Sequence, residues 1–211
     1  MNPCVVIQGR ADYLLDIIGN YNKENTIIST WDNVPPVDGY TSIHTPLIQG
    51  TRGNLNLQAL STYKGCLKAK ELGYDYVLKI RSDMSIDNID KLLTLLDGDK
   101  FCFYSYVSDP SRYKYLTDYI VGGPIDDMIK LWDIKKFNPN ICAEEQLTLR
   151  LINLIEPKEI QFLISIFYEN DIGCRWHKLN YDLRKNYDDR QYNTNHNPFI
   201  SYPLKDTITD Y

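Results

Sequence analysis

Two periods of apolar and polar positions share the chain: short continuous apolar runs, and stripes at helical spacing. "CVVIQG" (4–9) is an apolar run ended by glycine and predicts a buried strand. In "ADYLLDIIGNY" (11–21), Leu14, Ile17 and Ile18 share a helical face that closes near Gly19. "TIISTW" (26–31) predicts a second strand, stopped by Asp32, Asn33 and the Pro35-Pro36 pair, and "YTSIHT" (40–45) a short third one. Residues 46–55 form a polar, glycine-bearing loop. A helix follows from about Asn56 to Leu72, with Leu60, Tyr63 and Leu67 on one face and Gly73 as its stop. "YDYVLKI" is the next strand. Asp87 is the expected N-cap of a helix carrying Ile89, Leu92, Leu93 and Leu96, with Asp90 in its first turn.

The second half is more mixed. "KFCFYSYV" (100–107) and "DYIVGG" (118–123) read as strands, and Pro124 opens a helix with Ile125, Met128, Ile129 and Trp132 inward. "CAEEQLTLRLINLI" (142–155) is amphipathic through Leu147, Leu151 and Ile155, with Glu144 and Glu145 in its first turn. From about residue 160 the chain is tyrosine-rich, charged and reads as irregular. Alternating strands and helices predict an α/β fold: a single Rossmann-like domain with a mixed, mostly parallel central sheet flanked by helices.

Ligands of such sheets bind outside the carboxyl ends of the strands. The residues that follow each strand are Gln8-Gly9-Arg10, Trp31-Asp32, His44-Thr45 and Arg81-Ser82-Asp83. On a parallel sheet they converge on one edge, giving a polar, partly cationic rim with two carboxylates.

Composition narrows what that rim serves. The chain has 211 residues, 43% of them hydrophobic, enough for one well-filled domain core. A net charge of −5 argues against nucleic acid as the main partner. No stretch approaches the roughly 18 consecutive apolar residues of a membrane span, and "MNPCVVIQGR" lacks the basic-then-apolar pattern of a signal peptide. Cys4, Cys66, Cys102, Cys142 and Cys174 are scattered, odd in number and form no CxxC pair, so structural zinc is not expected. Reduced thiols and a cytoplasmic location are expected.

Asp83 is the strongest metal candidate. Mg²⁺ or Mn²⁺ takes oxygen ligands and is often held by one or two carboxylates plus substrate phosphates. Mn²⁺ also accepts imidazole, which makes His177 in "CRWHKL" the expected second ligand, ahead of His44 and His196. The plainer alternatives are a strand-end turn for Asp83 and a structural or surface role for His177. Arg10, Arg52, Arg81 and Arg175 are candidate diphosphate clamps. Surface ion pairing is the ordinary role of an arginine, but Arg10 and Arg81 each come directly after a core strand. "GTRGN" lacks the GK[ST] ending of a P-loop, and the absence of GxGxxG disfavours a dinucleotide dehydrogenase. Glu144 and Glu145 complement a helix dipole or serve as a general base. Trp31 packs in the core or stacks on a base or sugar ring.

In the order "VVIQG", "IISTWDN", "NLNLQALSTYKG" and "YVLKIRSDM", the chain resembles GT-A-type nucleotide-sugar glycosyltransferases, and among them the WavE-type lipopolysaccharide-synthesis family. It is also similar to the first domain of chlorella-virus glycosyltransferases that act on capsid glycans. The likeness covers residues 4–84 and is thinner at "AEEQLTLRL". The family's metal strand reads hydrophobic-x-DxD, and Arg81 stands where its first aspartate would be.

The resemblance implies a GT-A-like domain over 1–211, with a nucleotide-binding half (1–100), an acceptor-side half (101–160) and a C-terminal extension (161–211). It places Mn²⁺ or Mg²⁺ on Asp83, with phosphate oxygens and His177 completing the shell. It places uracil and ribose near Gln8, Gly9, Arg10 and Asp32, and the diphosphate or sugar near Arg52, Asn56 and Arg81. Glu145, with Glu144 beside it, matches the catalytic base of inverting members. The implied activity is transfer of a glucose- or rhamnose-type hexose or deoxyhexose from a UDP-sugar to a glycan or glycoprotein acceptor, a viral capsid glycan and host cytoplasm among the settings. The alternatives are an inert nucleotide-sugar-binding module, which the missing first aspartate keeps open, and a sugar nucleotidyltransferase, for which "QGRADY" is a poor basic glycine loop.

Overall fold

Each apolar run of the first half becomes a strand whose residues alternate between two buried faces. A computed structural model describes residues 1–10, 12–31, 33–48, 54–104, 106–108, 114–135, 143–154, 160–177 and 181–182. In chain order it contains β1 (Pro3–Gln8), α1 (Leu14–Ile17), β2 (Thr26–Trp31), β3 (Thr41–Thr45), α2 (Leu55–Glu71), β4 (Tyr76–Arg81), β5 (Met84–Ile86) and α3 (Ile89–Leu95). Then come β6 (Cys102–Phe103), β7 (Tyr106–Ser108), β8 (Lys114–Leu116), β9 (Ile120–Pro124), α4 (Ile125–Trp132) and α5 (Ala143–Leu154). The last elements are β10 (Gln161–Phe162), α6 (Leu163–Glu169), β11 (Cys174–Trp176) and β12 (Tyr181–Asp182).

Seven strands form the central sheet in the order β10-β6-β9-β4-β1-β2-β3. β3, β2, β1 and β4 are mutually parallel, β9 runs antiparallel to β4 and β6, and β10 is parallel to β6. The expected mixed, mostly parallel sheet is therefore present. The chain builds outward from β1 to β2 and β3, then returns to the other side of β1 for β4. That reversal opens a crevice between the carboxyl ends of β1 and β4, where ligands of open α/β sheets bind.

Both faces of the sheet are covered, which is why its central strands read as continuous apolar runs. Val5 and Ile7 join Ile28, Leu78 and Ile80 in a core with residues of α1, α3 and α6. Cys4 and Val6 point the other way, into a core with Ile27, Val77 and residues of α2, α4 and α5. Gly65 lets α2 lie close on the sheet, since a Cβ there would stand 2.5 Å from Val6 Cγ1. Cys4, Cys66, Cys102 and Cys174 are buried free thiols, and Cys142 lies outside the described residues.

Several local expectations are corrected. The helix expected over 11–21 is only α1 followed by a 3₁₀ turn at Ile18–Asn20. The cap of α3 is Asn88 rather than Asp87: Asn88 takes φ 58°, and its Oδ1 accepts from Lys91 N at 3.2 Å. Asparagine tolerates the left-handed backbone that this sharp entry needs. The strand expected over 100–107 leaves the sheet after Phe103, and β7 pairs with β8 as a separate antiparallel ribbon. The described residues from 160 onward are not irregular. β10 extends the sheet, Leu163, Ile164 and Phe167 of α6 enter the core, and β11 pairs with β5 and β12. Among the described residues no helix is long and apolar enough to cross a membrane.

Candidate functional site

The tips of β1 and β4 meet at a single close contact. Gln8 and Arg81 are register partners, and Ser82 N donates to Gln8 O at 2.8 Å. Gly9 then turns the chain with φ +139°, and a Cβ at this position would collide with the Ser82 hydroxyl. Only glycine meets both conditions. The two strand ends thus close the floor of a cleft of about 270 Å³. Its described lining is Gln8 at the end of β1 with Gly9, Arg10, Asp12 and Tyr13 after it, Trp31 at the end of β2, Asn54 and Gln58 around the start of α2, Arg81 at the end of β4 with Ser82 and Asp83 after it, and Asp118 before β9.

Arg81 is held flat at the middle of this cleft. Its Nε donates to Asp83 Oδ1 at 3.0 Å and its Nη2 to Asp83 Oδ2 at 2.7 Å, the bidentate geometry of a guanidinium on a carboxylate. Its Cζ lies 5.5 Å from the centre of the Tyr119 ring, and its main-chain N–H donates to Tyr119 O at 3.2 Å. Burial works against the charge on Arg81, but Asp83, by charge and then by hydrogen bond, holds its pKa above the ordinary arginine value, with Asp118 and Tyr119 adding to the effect. The cation is therefore permanent and its plane is fixed by two neighbours.

Asp118 is held from two sides. Gln58 Nε2 donates to Asp118 Oδ2 at 2.7 Å, and the Lys79 ammonium donates to the Asp118 carbonyl at 2.5 Å. Lys79 is fully buried, with Nζ 5.3 Å from the Trp132 ring centre. Burial pushes its pKa down to about 8, against the opposing pull of Asp118. Asp118 itself is 5% exposed, and its Oδ1 has no hydrogen-bond partner among the described residues. The same is true of the indole N–H of Trp31 at the far side of the cleft.

The fold gathers part of the expected set. Gln8, Gly9, Arg10, Arg81 and Asp83 line the cleft together. Arg10 is largely exposed and paired with Asp12 at 3.0 Å, a contact weak enough in water for a phosphate to displace. Asp32 and Arg52 lie outside the described residues, as does His196. Asn56 is buried in the first turn of α2, while its neighbours Asn54 and Gln58 face the cleft. Glu144 and Glu145 do sit in the first turn of α5, outside the cleft's described lining, with Glu144 near enough to act on Lys79 and Tyr119 through its charge. Arg175, exposed on β11, is also outside that lining.

The expected metal pair does not assemble in this arrangement. Both oxygens of Asp83 accept from Arg81, so a divalent ion there would have to displace a guanidinium or sit against it. His177 reaches Asp83 only through the main chain, its N–H donating to Asp83 O at 2.8 Å, while its ring Nε2 lies 2.8 Å from Ser85 Oγ. Among the described residues no group of three or more His, Cys, Asp or Glu side chains is placed to hold a metal. Asp83 and His177 are thus not disposed as a shared donor pair: Arg81 holds the carboxylate and Ser85 the imidazole.

Asp118, Gln58, Asn54 and Lys79 are the site residues that sequence reasoning missed. Searching only after strands finds the rim of a parallel sheet. β9 is antiparallel, so the residue before it lies at that same rim, and Asp118 is there for that reason. No protein-family model matches the chain, and no curated protein matches it in sequence.

Proposed function

We propose that the cleft binds a nucleoside-diphosphate sugar and that the protein is a glycosyltransferase acting from a UDP-sugar onto a glycan hydroxyl. One observation carries the reading: the order of chemistry across adjacent strand tips. Trp31 (β2), Gln8 to Arg10 (β1), Arg81 with Asp83 (β4) and Asp118 (before β9) follow one another along the sheet edge. At about 4.8 Å per strand this row spans roughly 14 Å, the scale of an extended nucleotide-sugar. An aromatic ring whose N–H has no partner among the described residues suits a base with carbonyl acceptors, a rigid cation in the middle suits a diphosphate, and a carboxylate at the far end suits sugar hydroxyls. The resemblance over residues 4–84 supports the same reading.

In the transfer, the acceptor hydroxyl oxygen bonds to the anomeric carbon as the bond from that carbon to the diphosphate oxygen breaks. The electron pair leaves with the diphosphate and the hydroxyl proton passes to a base. Arg81 meets the charge that grows on the leaving group. A donor fixed in advance at the site of developing charge is worth about 3–4 kcal/mol in comparable cases.

A second reading is a nucleotide-sugar-binding module without turnover. It is favoured by the position of Glu144 and Glu145 outside the cleft's described lining. Incubation with a panel of UDP-sugars and detection of released UDP, alongside calorimetric titration with UDP, separates the two. Release of UDP supports transfer or donor hydrolysis. UDP binding with no turnover supports the module. No binding of UDP or of any UDP-sugar defeats both.

A further inference from the structure

We propose that Asp118 is the specificity-determining residue for the donor's sugar, taking a sugar hydroxyl on its Oδ1. The inference rests on the nucleotide-sugar reading of the cleft and deepens it. Asp118 is a buried carboxylate in the cleft wall with one oxygen satisfied by Gln58 and the other without a partner among the described residues. Leaving a buried acceptor unpaired is costly, and more so for a charged group. Folds retain such an atom where something else satisfies it.

The surroundings select the class of donor. Arg81 and Lys79 both lie within electrostatic reach of Asp118. A further cation would be repelled by those two, and a phosphate would be repelled by the carboxylate itself. A neutral O–H is the donor that suits both. Asp118 is also held at two points, because Lys79 of β4 donates to its carbonyl and Gln58 of α2 to its side chain. Its place on the far side of Arg81 from Trp31 puts it at the sugar end of a nucleotide laid across the tips. A carboxylate accepting from a hydroxyl makes a charge-assisted bond, and a site built around such a bond discriminates strongly between sugars that present the hydroxyl and those that do not.

The test is the ratio of UDP-sugar affinity to UDP affinity, measured by calorimetry for wild type and Asp118→Asn. The probes are UDP, UDP-glucose, UDP-galactose, UDP-N-acetylglucosamine and UDP-rhamnose. Asp118→Asn keeps an oxygen for Gln58 and leaves the main-chain carbonyl for Lys79, and Asp118→Ser is the second variant should the first fail to fold. The expected result is UDP affinity within about twofold of wild type, with the preferred UDP-sugar weakened about tenfold or more and sugar discrimination flattened. An unchanged ratio in a folded variant, or an equal loss for UDP and UDP-sugar, overturns the assignment. Wild-type protein that binds neither UDP nor any UDP-sugar overturns the donor-site reading itself, a result visible before any variant is made.

Discussion

Arg81 and Asp83 form a closed two-bond fork at the end of the strand that floors the cleft, with the guanidinium 26% and the carboxylate 12% exposed. Breaking a buried pair by removing one member costs about 3–5 kcal/mol, because the other charge stays behind. Partial exposure of the guanidinium reduces this, and we expect about 2 kcal/mol for Arg81→Met. Asp83→Asn in the Arg81→Met background should restore part of that loss, since it removes the stranded charge. Urea unfolding of the two single variants and the double variant checks the coupling. Arg81→Lys should keep stability better than Arg81→Met yet lose UDP affinity about tenfold, because an ammonium cannot present the planar fork to a diphosphate. UDP affinity unchanged in Arg81→Lys would remove Arg81 from the donor site.

The same fork sets the expected response to metal. With both Asp83 oxygens engaged by Arg81, UDP affinity should change less than about twofold between chelator and millimolar Mn²⁺. In Arg81→Ala the carboxylate loses those two donors, and Mn²⁺ should then strengthen UDP binding in that variant alone. Calorimetric titrations with and without EDTA read both outcomes. Strong Mn²⁺ dependence in the wild type would return Asp83 to the role of metal ligand.

Gly9→Ala tests the floor of the cleft. Its cost comes from two sources that can be separated: a φ of +139° that a side chain rarely adopts, and the collision with the Ser82 hydroxyl. Together we expect a loss of about 2–3 kcal/mol and weaker UDP binding. Gly9→Ala with Ser82→Gly removes the collision but not the backbone strain, so it should recover only part of the stability. Full recovery in thermal melts would show that φ at this position is not the constraint.

The residues that could be read in advance are those whose environment is local. Val5 to Ile7 and Val77 to Ile80 announce buried strands by composition, and Gly9 and Arg81 stand out because they interrupt such runs. Asp118 could not be found this way. Its place at the rim depends on the direction of β9, and direction is decided by a pairing between β4 and β9 whose partners, such as Ile80 and Ile120, are far apart in the chain. Lys79 was hidden inside an apolar run, where one polar residue reads as an exposed face. Only the packing of α4 and Trp132 over β4 buries it. The arrangement around Asp83 and His177 was illegible for a related reason. The sequence brings the two together through the β5–β11 pairing, but it does not show that Arg81 takes both carboxylate oxygens and Ser85 the imidazole.

Lys79 gives the fold a pH dependence of its own. Burial lowers its pKa to about 8 in the folded chain, from 10.5 for a solvated lysine. Between those values the unfolded chain holds the extra proton, so the Lys79 contribution to stability rises with pH across that interval. It is complete above 10.5 and lost as pH falls through 8, and its full size is about 3 kcal/mol. The whole protein will not show this directly. Burial raises the pKa of Cys4 and Cys102 to about 12 and also raises that of Cys66. Those thiols stabilise the fold fully below 9, and the contribution is lost as pH rises beyond that. The useful quantity is therefore the difference between wild type and Lys79→Met, in which the cysteines cancel. Lys79→Met removes the buried charge but leaves the Asp118 carbonyl without its donor, a cost of about 1–3 kcal/mol. At pH 7 these effects oppose, and the variant should lie within about 2 kcal/mol of wild type. By pH 10.5 wild type should have gained about 3 kcal/mol on the variant. Urea unfolding at intervals from pH 7 to 10.5 measures the curve. A flat difference would mean that Lys79 is solvated and charged throughout, and that it does not hold the Asp118 carbonyl.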